Sequence, residues 1–176
     1  MHVRTIELLQ HLDTTRRQLA DAFARIPLDQ QDQRPAKDRW SAGEVLSHLS
    51  MIEASVAEIL QGKLRRVLAG ETLPPAGEQP RTWRKLADVL LDQDLKVVAP
   101  EFVVPDGSQS AAAAWESLES SRPRLRQLLL AADGLCTESV KSRHVLLGVL
   151  TFEEWFGFVG YHEQRHALQI AAITES

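Results

Sequence analysis

Apolar residues recur along this chain at three- and four-residue spacing in four separate stretches. The first, residues 3–26, places Leu8, Leu12, Thr15, Leu19, Phe23 and Ile26 on one face of an amphipathic helix and stops before Pro27. The second, 42–69, has the stripe Val45, Leu49, Ile52, Val56, Ile59 and Leu60. Ser41 followed three residues on by Glu44 predicts a capping box at its start, and Gly70 closes it. The third, 110–132, opens on a run of alanines and ends at Gly134, with Pro123 inside it predicting a kink or a division. The fourth, 152–173, carries Phe152, Trp155, Phe156, Val159, Ile170 and Ile173.

The connection between the second and third stretches contains Pro74, Pro75, Pro80, Pro100 and Pro105, with a short helix predicted around Trp83–Leu91. It is too broken by proline to be a bundle helix but long enough to travel the length of one. A further loop containing Val145-Leu146-Leu147-Gly148 leads into the fourth stretch. Period-two alternation is absent, so no sheet is expected. The pattern predicts an all-α four-helix bundle with a long crossover between helices 2 and 3, which then run in the same direction. At 176 residues and 44% hydrophobic, residues 1–176 have the size and apolar content of one domain with a full core.

Three histidines interrupt the apolar stripes. With 100° per residue, His166 lies about 20° and His162 about 60° from Val159, so both occupy the core face of the fourth helix, one turn apart. His48 lies about 60° from Val45, at the edge of the second stripe. A buried polar group without a partner costs roughly 1–3 kcal/mol, and one histidine alone is more often hydrogen-bonded in a core than a ligand. An i, i+4 pair answered by a third histidine favours a metal site. Three neutral imidazoles suit zinc or nickel, with iron, cobalt or manganese as alternatives, and leave a coordination position open.

His162-Glu163-Gln164-Arg165-His166 also matches the H-E-x-x-H pattern of zinc peptidases, in which the glutamate is the general base. Those enzymes take a third ligand from downstream. Only ten residues follow His166, with Glu175 their one carboxylate, so the peptidase reading is set aside and Glu163 is expected beside the site or on the helix surface. Glu44, one turn before His48, is a candidate to orient His48 or accept a proton, with its capping role as the alternative. His144, in a loop, is a weaker candidate for a fourth ligand or a mobile acid/base.

Net charge is −4, and the small basic groups (Lys63, Arg65, Arg66; Arg122, Arg124, Arg126) are expected to be solvated helix faces, so no nucleic-acid partner is expected. Cys136 is the single cysteine, which rules out an intramolecular disulfide and a multi-thiolate zinc site. No apolar leader or membrane-length run is present, so a cytoplasmic protein without membrane association is expected.

Arg39-Trp40-Ser41 leading to Glu44-Val45-x-x-His48-Leu49, then His144-x-x-x-Gly148-x-Leu150-Thr151-x-x-Glu154-Trp155, then His162-x-x-x-His166-x-x-Gln169-Ile170, resembles the DinB-like/YfiT-like metalloprotein superfamily. Val145 stands where that family usually has proline. The resemblance implies a four-helix bundle whose ligands are His48, His162 and His166 on a divalent metal, often as a homodimer. The family includes transferases that join low-molecular-weight thiols to electrophiles. A metal-dependent thiol transferase acting on a small electrophilic substrate is therefore the leading expectation. The alternatives are a non-enzymatic metal-binding or stress-response bundle, and a metal-dependent hydrolase or isomerase with Glu44 or Glu163 handling the proton.

Overall fold

The computed structural model describes residues 1–78, 80–95 and 97–173. It contains α1 (Val3–Ala24), α2 (Ala42–Gly70), a short α3 (Ala87–Leu90), α4 (Ala111–Ala131), strands β1 (Lys141–His144) and β2 (Gly148–Thr151), and α5 (Phe152–Ala171). The helices that carry His48, His162 and His166, α2 and α5, both begin at capping boxes. The Ser41 hydroxyl accepts from the Glu44 amide at 3.1 Å, and the Glu44 carboxylate accepts from the Ser41 amide at 2.9 Å. Thr151 and Glu154 repeat the arrangement at the start of α5. Each box satisfies amide groups that the helix itself leaves orphaned.

The long helices form a four-helix bundle, and contacts between them give their directions. Along α2 and α4, Gly43 lies against Ala111, Glu53 binds Arg122, and Arg124 donates to Gln61, so these helices run in parallel. Along α1 and α5, Arg4 meets Glu153, His11 meets Gly157 and Thr15 meets Glu163, again in parallel. Arg16 meets Leu118 while Arg126 meets Asp13, so α1 and α4 are antiparallel. The long connection is therefore a true crossover joining two parallel helices. It carries a 3-10 turn, Thr82–Leu86, that runs into α3 where the short helix was predicted.

The core has two apolar clusters. One gathers Leu8, Leu12, Leu60, Leu125, Phe152 and Phe156; the other gathers Leu19, Val45, Leu46, Leu118 and Ile170. Between them every long helix contributes a charged residue: Arg16 from α1, Glu53 from α2, Arg122 from α4 and Glu163 from α5. Arg122 donates to both carboxylate oxygens of Glu53, at 3.0 and 2.9 Å, and to both of Glu163 at 3.1 Å. Its remaining nitrogen donates to the Leu12 carbonyl at 2.9 Å. Arg16 donates to Glu163, Glu53, Glu119 and the Leu118 carbonyl. Thr15 adds a hydroxyl donor to Glu163 at 2.9 Å.

Several sequence expectations are corrected here. Arg122 is buried, not part of a solvated face. Burial alone would lower its pKa, but Glu163 and Glu53 outweigh that effect and hold it above the usual arginine value. Glu163 is 1% exposed and belongs to this layer, not to the helix surface. Pro123 does not divide α4, which runs as one helix from Ala111 to Ala131. Arg122 in the ion layer and Leu118, Leu125 and Leu129 in the apolar clusters pin the helix on both sides of the proline, so tertiary packing overrides the local penalty.

A two-stranded antiparallel ribbon, Lys141–His144 against Gly148–Thr151, also stands where only a loop was expected. Lys141-Ser142-Arg143-His144 has no apolar alternation to announce a strand, and the turn rests on Gly148, whose φ of +78° suits glycine best. Among the described residues no helix is long and apolar enough to cross a membrane. Glu175 lies outside the described residues.

Candidate metal centre

The structure brings His48 of α2 together with His162 and His166 of α5. Each offers one ring nitrogen, and these atoms lie within 4.8 Å of one another, a set that could hold a metal ion. The His162 and His166 Nε2 atoms are 3.2 Å apart. Metal–nitrogen bonds of about 2.0–2.1 Å in tetrahedral geometry place ligand nitrogens about 3.3 Å apart, so this pair already has the spacing of one edge of such a site.

Hydrogen bonding decides which nitrogen faces the centre. His48 Nδ1 lies 2.7 Å from the carbonyl oxygen of Val103. A carbonyl only accepts, so Nδ1 carries the proton and the Nε2 lone pair is free. His166 Nδ1 lies 2.8 Å from Oε1 of Gln169, one turn on in α5, with the same consequence. Acceptors on the outer ring nitrogen are what hold a ligating imidazole in tautomer and orientation. The donor set therefore fits a divalent ion of the borderline type that imidazole favours.

The rings are also held neutral. Burial lowers the pKa of His48, and burial followed by the charges of His166 and His48 takes His162 well below 6.5. His166 is brought down to about 3, by burial first and then by His48. Arg165 contributes to the lowering at both His162 and His166. Its guanidinium donates to the carbonyls of Leu90, Asp92 and Leu95, tying the crossover to α5 beside the histidines. Among the described residues no carboxylate joins the three-histidine group.

Aromatic rings enclose the cluster. Phe158, one turn before His162, stacks on it at a centroid distance of 5.1 Å, and the Trp40 ring is 5.0 Å from His48. Both rings thus pack directly against the histidines. His144 is not a member of the group. Its Nδ1 accepts from the backbone amides of Leu146 and Leu147 at 3.1 and 3.2 Å, so it is fixed by the hairpin turn, not a mobile loop group.

The two candidate carboxylates are engaged elsewhere. Glu44 is capped onto Ser41 and bound through both oxygens by Arg34. Burial alone would raise its pKa, but Arg34 and the Ser41 amide outweigh that and lower it. Glu163, although it sits between the two histidines in the chain, is bound by Arg16, Arg122 and Thr15 in the ion layer. The H-E-x-x-H match thus divides, with its histidines in the three-histidine group and its glutamate in the ion layer.

Sequence reasoning missed Val103 and Gln169 as partners of the histidines. Gln169 carried a readable signal, being three residues beyond His166 and so on the same face. Val103 carried none, because its contribution is a backbone carbonyl that any residue type could supply.

Comparison with known proteins agrees with this architecture. A family model described as the DinB superfamily matches residues 11–170. The chain is 28% identical over 152 residues to the uncharacterized protein YuaE of Bacillus subtilis (strain 168), a match covering 82% of this chain and 83% of that protein. The solved structure titled TT2238, a four-helix bundle protein, is similar with a TM-score of 0.58 at 16% identity, over 96% of this chain and 98% of that one. With the family model spanning nearly the whole chain and the bundle in place, this protein belongs to the DinB superfamily.

Proposed function

We propose that this protein is a divalent-metal-dependent transferase that joins a low-molecular-weight thiol to a small electrophile. The observation that carries the reading is the convergence of three neutral imidazoles, two with their outer nitrogen held by an acceptor. His48, His162 and His166 would hold the ion, with zinc or nickel the first metals to test. Three protein ligands would leave room for one more, and a bound divalent ion would supply the Lewis acidity that favours loss of a thiol proton near neutral pH. Thiolate character is what attack on an electrophile requires.

The protein's own groups set the surroundings for that chemistry. Phe158 and Trp40 would give the bound ion apolar neighbours, through their contacts with His162 and His48. As a ligand through Nε2, with its Nδ1 proton held by Gln169, His166 would have no lone pair left to take up the thiol proton, which would pass to solvent. The thiol itself comes from the family resemblance and not from the geometry. A hydrolase or isomerase using Glu44 or Glu163 as base finds no support, since both carboxylates are bound to arginines outside the histidine group. A homodimer is part of the proposal and is read from the sedimentation of untagged protein.

Untagged protein loaded with zinc or nickel should turn over at least one thiol with a chromogenic electrophile. That activity, and about one bound ion per chain, should both vanish in His48→Ala and His166→Ala. If no thiol gives metal-dependent turnover above the spontaneous rate while the ion remains bound, the transferase reading fails and a metal-binding role without catalysis takes its place.

A further inference from the structure

We infer that His144 is a substrate-contacting residue of the histidine site, its Nε2–H donating to an anionic oxygen of the thiol bound there. This rests on the reading of the site as a metal-dependent thiol site and names the class of thiol it would take: a small thiol that also carries a carboxylate.

The argument begins with the hairpin turn. Both amides of Leu146 and Leu147 point at His144 Nδ1, so that nitrogen has no proton, and the neutral ring must carry it on Nε2, the edge away from the turn. Burial keeps the ring neutral by lowering its pKa. The ring packs edge-on against Phe158 at 4.5 Å and beside Trp155 at 5.3 Å, and Phe158 in turn stacks on His162. Trp155, Phe158, His162 and His166 follow one another at three- and four-residue spacing, so they share one face of α5. His144 therefore covers the N-terminal end of the face that carries the metal ligands, one ring away from His162, and stays half-exposed.

Two further observations point to an anionic acceptor. Trp155, whose ring centre is 5.3 Å from that of His144, is 4% exposed, and its indole N–H has no acceptor among the described residues. A buried donor left unpaired in a native protein calls for an explanation, and a ligand atom is one. The site is also electrically one-sided. The group holds three neutral histidines and no carboxylate among the described residues, and the nearby Arg165 is bound to carbonyls. A divalent ion there keeps its full charge uncompensated, which favours an anionic occupant in a low-dielectric setting.

The test uses cobalt(II)-loaded protein titrated with 3-mercaptopropionate and with 1-propanethiol, sulfur binding being read from the thiolate-to-cobalt charge-transfer absorption. His144→Asn is the informative variant: its side-chain oxygen can still accept from the turn amides, while the distal N–H is gone. The variant should keep wild-type cobalt content, bind 3-mercaptopropionate about tenfold or more weakly, and bind 1-propanethiol as wild type does. Equal changes for the two thiols, or no change for either, would overturn the inference and leave His144 as a hairpin packing residue. Cobalt uptake by wild type with no binding of either thiol would instead sink the thiol reading itself, and this inference with it.

Discussion

Arg122 Nη2 lies 3.1 Å from both carboxylate oxygens of Glu163, in the middle of a bundle whose neighbouring layers are apolar. The contact joins α4 to α5, and through Glu53 and Arg16 the same layer reaches α2 and α1. Removing one partner from a buried ion network leaves uncompensated charge, which typically costs about 3–5 kcal/mol. Arg122→Met should therefore lower unfolding free energy by about that amount in urea titrations followed by circular dichroism. A loss below about 1 kcal/mol would show that the layer contributes little once its desolvation is counted.

Gln169 holds His166 by its outer nitrogen, at 2.8 Å. Replacing such a partner typically costs 10–100-fold in metal affinity while leaving the ligands in place. Gln169→Leu should still bind one ion per chain at saturation, but competition with a chromophoric chelator should show affinity weaker by about 10–100-fold. Unchanged affinity would mean that packing alone orients the ring.

Acidification should destabilise the metal-free protein before its carboxylates titrate. The unfolded chain protonates these histidines from about pH 6.5 downward, whereas folded His166 does so only near 3 and His48 and His162 are also lowered. Between those values the unfolded state binds more protons, so stability present above pH 6.5 is lost as pH falls. Denaturation midpoints measured in chelator between pH 7 and pH 5 should fall, and fall less steeply in His166→Leu. Equal slopes for the two proteins would rule out His166 as a source of the effect.

Gly160 is required by a close approach. A Cβ there would lie 2.2 Å from His11 Nε2 and 2.4 Å from Cδ2, and the His11 ring is flanked by Trp83 and Tyr161 with its Nε2 at the Gly157 carbonyl. Gly160→Ala should destabilise by about 1–3 kcal/mol, the usual cost of overpacking. The double variant Gly160→Ala/His11→Ala should lose less than the sum of its single variants, because the second change removes what the new methyl group strikes. Additive losses would place the strain elsewhere.

The helices and the faces of the histidines were legible because both depend on local periodicity. Val45, Leu49 and Val56 mark the inward face of α2 and leave His48 at its edge, while Val159 and Ile170 put His162 and His166 on the core face of α5. Ser41 with Glu44 marked the start of α2 by the same local chemistry, and the proline-rich connection implied the crossover. The ion layer was not legible. Glu163 meets Arg16 across 147 positions and Arg122 across 41, so a helical pattern scores each as a solvated charge until the helices are side by side. Val103 escaped notice because a main-chain carbonyl has no residue signature, and Pro123 misled because its local penalty was outweighed by partners on other helices. Residue spacing set which side chains could face the bundle interior, since that follows from 3.6 residues per turn. Which of them meet a metal-binding partner, an arginine or a carbonyl depended on the register between helices, and only the folded bundle supplies that.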